Sequence, residues 1–171
     1  MPWMRKRLHG VGLGFMLISG VLIGTVQAAE LPLQTLEGET VHLSDYVGEG
    51  HWLLVMLWAT NCPVCSMEKP KISAFHQKHQ DGMARVLGIA LDGPEHQDDV
   101  IHYLDAHPTA FPNLIGRIGD VELSYEVATT ESLRGTPTYL LYTPDGELIG
   151  NNPGPLSEGA VERFIAKYNQ L

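Results

Sequence analysis

The sequence predicts an α/β domain with a mixed central sheet and helices on both faces. Three observations carry that expectation. Residues 52–58, Trp-Leu-Leu-Val-Met-Leu-Trp, form an unbroken apolar run of strand length, the pattern of a strand buried on both faces. Strands of this kind alternate with stretches of helical apolar spacing through the middle of the chain. Near the end, two apolar strands, Thr138 to Tyr142 and Leu148-Ile149, flank Pro144-Asp145-Gly146, a strong turn signal that closes the sheet with a hairpin.

The first 29 residues stand apart from that domain. Arg5, Lys6 and Arg7 precede a 16-residue apolar stretch from Val11 to Val26, and no acid occurs before Glu30. Val26-Gln27-Ala28-Ala29 then offers small residues suited to cleavage after Ala28 or Ala29. Basic, apolar, then small is the layout of a secretory signal peptide. The alternative is an uncleaved anchor, with a membrane tether through residues 8–26, although a spanning helix wants ~20 apolar residues. On either reading the domain, residues 30–171, is exported and lies outside the cytoplasmic membrane, in a periplasmic or other extracytoplasmic space.

Within the domain each element has its own warrant. Leu31 to Asp45 reads as a hairpin at the N-terminus, turning at Glu37-Gly38-Glu39, with Val41 and Leu43 alternating with polar neighbours. After the strand at Trp52 to Trp58, Pro63 to about Gln80 is helical, and Pro70 inside it should bend it. Arg85 to Leu91 is a second buried strand. Glu95 to His107 is helical, with Val100, Tyr103 and Leu104 at helical spacing, and its acidic start suits the helix dipole. Phe111 to Ile115 is a short extended piece and Asp120 to Ala128 a short helix. Ser157 caps a final helix that gathers Val161, Phe164, Ile165 and Tyr168 on one face.

Composition limits the function. The chain has 171 residues, 44% apolar and 18% charged, which is enough for one domain with a real core and excludes disorder, collagen and disulfide-stapled mini-proteins. With 11 basic and 20 acidic side chains the net charge is -9, which argues against nucleic acid as a partner. His42, His51, His96, His102 and His107 are most simply surface histidines, and Trp52 and Trp58 serve the core, with Trp58 near the rim of the cysteine site.

The informative segment is Trp58-Ala59-Thr60-Asn61-Cys62-Pro63-Val64-Cys65. Its two cysteines leave a buried strand and open a helix. Cys62 at a helix start is exposed to unpaired N–H groups and the positive end of the dipole, which favour a thiolate. Cys65 is one turn on, more buried, and able to resolve a mixed disulfide. Pro63 suits the first helical turn, where its missing N–H costs nothing. A purely structural disulfide here would close too small a loop to stabilise much. A zinc site would need two further ligands, and the eight histidines are scattered, with His76 and His79 more than two turns past Cys65. Glu68 continues the same helix stripe and can accept or relay a thiol proton, or can be a solvated first-turn acid. Gly135-Thr136-Pro137-Thr138 precedes the hairpin. A cis Pro137 there would leave the Thr136 backbone free to pair with an extended substrate, whereas the plain reading is a turn proline.

Taken together, these residues resemble the thioredoxin superfamily and, within it, the exported TlpA/ResA-like thiol–disulfide oxidoreductases. The resemblance runs from about Leu31 to Leu171. It rests on Leu36 to Tyr46, on Trp58-Ala59-Thr60 leading to the cysteine pair, on Cys65-Ser66-Met67-Glu68-Lys69-Pro70, on Gly135-Thr136-Pro137-Thr138 and on Asp145-Gly146-Glu147-Leu148. It implies a thioredoxin-like fold with an N-terminal β-hairpin extension and an extra segment between the second strand and the proline loop. It implies Cys62 as nucleophile, Cys65 as resolving thiol, Glu68 as the acid near the site and Pro137 as a cis proline. Trp58, Asn61, Pro63, Val64, Thr136 and Pro137 would line the partner groove. No cofactor is implied beyond the redox-active Cys62–Cys65 disulfide, and no metal. Related proteins reduce disulfides of exported proteins, among them apocytochromes c during cytochrome c maturation and copper-site assembly proteins, and are recharged by a membrane thiol-transfer protein.

Two positions depart from the family. Asn61 stands where an aromatic residue usually precedes the first cysteine, and Met56 stands where thioredoxin keeps a buried aspartate, so that Glu68 would supply the proton function. Pro63-Val64 tunes thiolate stability and so the potential. Two other functions stay open. A thiol peroxidase of the peroxiredoxin kind shares the hairpin and the Ala-Thr approach, but Thr60 lies two residues before Cys62 rather than three and no matching proline precedes it. A copper chaperone would use Cys62, Cys65 and a histidine, since thiolates favour Cu(I).

Overall fold

The computed structural model of the chain describes residues 30–157 and 159–170. The expected signal peptide or anchor at residues 1–29 lies outside the described residues, and no described helix is long and apolar enough to cross a membrane. The chain runs through β1 (Pro32–Gln34), β2 (Thr40–His42), β3 (Trp52–Trp58), α1 (Pro63–His79), β4 (Ala84–Ala90), α2 (Gln97–Ala106), β5 (Asn113–Ile115), α3 (Ile118–Thr129), β6 (Thr138–Tyr142), β7 (Leu148–Pro153) and α4 (Ala160–Tyr168).

The strands form one seven-stranded mixed sheet in the order β2-β1-β5-β4-β3-β6-β7. The centre is parallel, β3 with β4 and β4 with β5, because helices cross over between those strands. The edges are antiparallel hairpins. β1 pairs with β2 and β6 with β7, and the turn between β6 and β7 carries Gly146 at φ 89°, a left-handed conformation that glycine adopts without penalty.

β3 explains why both faces are covered. Its side chains alternate by the period of two that a pleated strand imposes. Leu54, Met56 and Trp58 join one core with Cys65, Ile72, Val100 and Ile165, beneath α1, α2 and α4. Leu53, Val55 and Leu57 join a second core with Ile89, Val121 and Tyr125, beneath α3. All seven residues of β3 are buried, as expected of a run with no polar member.

The expected boundaries hold to within a few residues, with one correction. Ser157 does not cap the last helix. Gly159 occupies the N-cap at φ 66°, so α4 starts at Ala160 and the Ser157 side chain falls two residues too early. Of the four apolar residues expected on one face of α4, Val161 and Ile165 are buried, whereas Phe164 and Tyr168 stay partly exposed. Tyr168 meets Trp52 edge-on. Helix α1 continues through Pro70 to His79.

Two buried polar groups tie the layers. Asn113 accepts a hydrogen bond from Trp58 Nε1 at 3.0 Å and donates through Nδ2 to Thr109 Oγ1 and the Phe111 carbonyl. It fills the space over Gly88, where a Cβ would overlap the Asn113 amide and lie 3.1 Å from the Phe111 ring. His76 Nδ1 accepts the Val86 N–H at 3.0 Å, which requires that nitrogen to be unprotonated.

Two outcomes are expected. Gly88→Ala lowers the unfolding free energy by about 1–3 kcal/mol through overpacking, read as a lower urea midpoint. Burial holds the His76 pKa below its ordinary value of 6.5. The unfolded chain therefore binds the proton that the folded one refuses. The His76 contribution is complete above the unfolded value and is lost as pH falls through the folded one. A urea series below neutrality should show stability falling more steeply for the wild type than for His76→Gln.

Candidate thiol–disulfide site

The site forms where β3 ends and α1 begins. Ala59, Thr60 and Asn61 turn the chain, and Asp92, just after β4, pins that turn: its carboxylate accepts the Thr60 N–H at 3.2 Å and the Thr60 hydroxyl. Ligand sites of open α/β sheets gather at these carboxyl ends of parallel strands. Cys62 is the N-cap of α1, with extended backbone, and Pro63 takes the first helical position. The Cys62 sulfur accepts the Cys65 N–H at 3.1 Å, so it occupies the place of a capping oxygen and lies in the field of the helix start.

Cys62 and Cys65 are joined as a disulfide. Their exposures differ in a way that orders them chemically: Cys62 is 8% exposed and Cys65 0%. Cys62 keeps some surface for a partner to meet, and Cys65 keeps none. Cys62 Sγ lies 3.4 Å from the Thr136 carbonyl oxygen, 74 residues away in sequence. The Thr136–Pro137 peptide bond is cis. Around the pair, Asn61, Pro63 and Val64 are exposed and Thr136 is half-buried. Met67 adds an apolar side chain 66% exposed on the same helix. A cavity of about 280 Å³ opens beside them, lined by Ala59, Asn61, Asp92, Ile118, Glu122 and Thr136 among others.

Two expected site residues are placed differently. Trp58 does not reach the rim. It is fully buried, held by Asn113 and covered by Lys69 and Tyr103, so it offers no surface to a partner and acts from beneath. The reason is its position as the last inward-facing residue of a strand buried on both faces. Glu68 is buried, but its carboxylate turns toward α4 and β6. It accepts the Leu156 N–H at 3.0 Å and the Tyr139 hydroxyl at 3.4 Å and pairs with Lys71. Neither sulfur is among these partners. Tyr139 pairs with Met56 across β3 and β6, so the Glu68 charge reaches the neighbourhood of that strand position through Tyr139. Burial and the Glu68 charge both raise the Tyr139 pKa, which keeps the phenol a neutral donor.

Three residues near the site are not among the site residues the sequence predicts: Asp92, Tyr103 and Lys69. Lys69 is 3% exposed, and its Nζ lies 3.1 Å from the centroid of the Trp58 ring and 4.2 Å from that of Tyr103. The spacing of Lys69 from Cys65, one helical turn, was available to find it. Asp92 and Tyr103 are brought in by the fold alone. Among the described residues, no group of three or more His, Cys, Asp or Glu is arranged to hold a metal ion.

Comparison with known proteins gives the same outline. A model of the AhpC/TSA family matches residues 25–150. The thioredoxin-like protein YneN of Bacillus subtilis is 30% identical over 139 residues, spanning 81% of this chain and 76% of its own. The thiol-disulfide oxidoreductase ResA of Halalkalibacterium halodurans is 27% identical over 139 residues, spanning 81% and 73%. Two solved structures show the shared fold. The thioredoxin domain of a thiol-disulfide oxidoreductase from Bacteroides vulgatus superposes with a TM-score of 0.65 at 20% identity, over 82% of this chain and 94% of that one. An exposed lipoprotein thioredoxin from Streptococcus pneumoniae superposes with a TM-score of 0.63 at 22% identity, over 81% and 99%.

The Asp92 carboxylate is the group to test at this site. Asp92→Ala leaves the Thr60 N–H and hydroxyl without a partner. Chemical denaturation should show a loss of about 1–3 kcal/mol.

Proposed function

The chain belongs to the AhpC/TSA family, and as a thioredoxin-fold thiol–disulfide oxidoreductase it acts, we propose, as a reductant of disulfides in exported proteins. The observation that carries the reading is the unequal pair at the head of α1: a Cys62 that caps the helix through its sulfur and keeps 8% of its surface exposed, and a fully buried Cys65 bonded to it. In the reduced protein, Cys62 is the nucleophile. Its thiolate attacks the substrate disulfide, forming a bond from Cys62 to one substrate sulfur and releasing the other as thiolate. Cys65 then loses its proton and attacks the Cys62 sulfur. The mixed disulfide breaks, the substrate leaves as a dithiol after taking up protons, and two electrons have passed from protein to substrate.

The remaining roles follow from placement. The Thr136 carbonyl beside Cys62 and the cis bond to Pro137 suit an approaching strand of the substrate, in the manner of strand addition. Asn61, Pro63 and Val64 form the other bank of that groove. Glu68, buried one helical turn beyond Cys65, is the acid of the site, acting through its network with Tyr139 and Leu156 rather than by touching sulfur. Apocytochromes c and metal-site assembly proteins are the substrate classes proposed, and a membrane thiol-transfer protein is the donor that restores the dithiol. The reading has the protein work outside the cytoplasmic membrane, and the basic, apolar and small-residue order of residues 1–29 supports it.

Reduction of insulin by the wild-type chain with dithiothreitol as donor should be catalytic, and Cys62→Ala should return it to the uncatalysed rate. Cys65→Ala should instead accumulate a mixed disulfide through Cys62, visible as a mass increase that reductant removes. A Cys62→Ala protein as active as the wild type overturns the reading. Rapid consumption of hydrogen peroxide with no reduction of insulin would replace it by thiol peroxidase chemistry.

A further inference from the structure

A cation buried in the core without a hydrogen-bond partner demands a physical account, because taking an ammonium out of water is costly unless something compensates it. Lys69 is such a group: its side chain is 3% exposed, and its Nζ has no hydrogen-bond partner among the described residues. Long helical side chains lean back toward the helix N-terminus. That of Lys69 does so, since its Nζ reaches the ring of Trp58, which precedes α1. The Tyr103 ring, with its centroid 5.3 Å from that of Trp58, makes the adjoining wall of a corner in which the ammonium sits, and its hydroxyl is hydrogen-bonded to Ser66, the neighbour of Cys65. The charge is thus held at the level of Cys65, whose side chain lies one turn from that of Lys69 on the same helix face, about 6 Å away at Cβ.

We propose that Lys69 is a positioning residue for Cys65: its ammonium, held in the corner of the Trp58 and Tyr103 rings one helical turn from the buried cysteine, favours the Cys65 thiolate that resolves the mixed disulfide. The inference rests on the exchange reading of the cysteine pair and adds a residue to it. Cys65 has no exposed surface, and a sulfur buried in apolar surroundings resists ionisation. A nearby cation reverses that preference. The ring faces hold the ammonium without consuming it in a hydrogen bond, which leaves its charge free to act on whatever anion forms beside it. Glu68, its neighbour in sequence, does not neutralise it, because that carboxylate is already paired with Lys71 and hydrogen-bonded to Leu156 and Tyr139.

The charged and titratable groups around Lys69 are Cys65 on its own helix, Tyr103 on α2 and Asp92 after β4. Burial lowers the Lys69 pKa to about 7, and the Asp92 charge pushes it back up. A thiolate at Cys65 raises it further, so each group favours the charged form of the other and the two titrations are coupled. The advantage that Lys69 gives to resolution is therefore greatest near and below neutrality. It fades at alkaline pH, where Cys65 ionises unaided and the ammonium is lost.

The test separates Lys69 from the exchange reading itself. In the full chain with Cys62→Ala, Cys65 is the only thiol, and its ionisation is followed by thiolate absorbance across the neutral and alkaline range. Lys69→Met, which keeps an unbranched apolar stem against the two rings, and Lys69→Gln should each lower the Cys65 ionisation constant about tenfold or more. Lys69→Arg should hold it within about threefold of the parent, because it keeps the charge. A shift below about threefold in both neutral variants overturns the proposal. So does an Arg variant that shifts as far as the Met variant, since packing alone would then explain the effect. A wild type that fails to reduce insulin while Cys65 still titrates with Lys69 counts against the exchange reading alone. An active protein with an unmoved Cys65 counts against Lys69 alone.

Discussion

The structure is organised around one sulfur placed where a helix needs an acceptor. The first turn of α1 has backbone N–H groups with no partner inside the helix. Cys62 Sγ takes the Cys65 N–H, doing for the helix what a capping serine or aspartate oxygen would do. The same geometry that satisfies the helix favours negative charge on that sulfur. Stability and reactivity are therefore requirements on one atom. The rest of the domain holds that atom at the end of a strand: β3 is buried on both faces, Asp92 ties the turn that follows it, and the cis Thr136–Pro137 segment closes over the sulfur from the other side.

Helix α1 then sorts its charges by direction. Glu68 and Lys69 are adjacent and both buried, yet about 100° apart around the axis. Glu68 faces α4 and β6 and spends its hydrogen-bonding capacity on Leu156, Tyr139 and Lys71. Lys69 faces the end of β3 and α2 and rests on two aromatic rings. An acid with satisfied partners and a base without them are different resources, although each is a charged residue within four positions of Cys65. The contrast follows from what each face of the helix packs against, not from the residue types.

The elements themselves were legible because their signals are local. An apolar run as long as β3, a proline two residues before the second cysteine and a Pro-Asp-Gly turn each act over a few residues, and each appeared where expected. The start of α4 was misread for a reason of the same kind: Ser157 is a good cap by type, but the left-handed backbone at Gly159 moved the helix start beyond its reach. At the site, the cysteine pair and the Thr-Pro segment were legible as motifs. The direction of Glu68 and the burial of Trp58 were not, because both depend on which neighbouring layer covers them.

What the sequence determined by itself was the chemistry available: two cysteines a helical turn apart at a strand-to-helix junction, with the dipole of the helix acting on the first. Those are consequences of covalent order and backbone geometry, and they hold wherever the segment folds. Only the tertiary structure decided which cysteine keeps exposed surface, that Thr136 stands over it from 74 residues away, and that a lysine sits in a corner of rings from β3 and α2. Those are contacts between distant segments, selected by the packing of whole layers, and side-chain direction and burial are properties of that packing that no local pattern encodes.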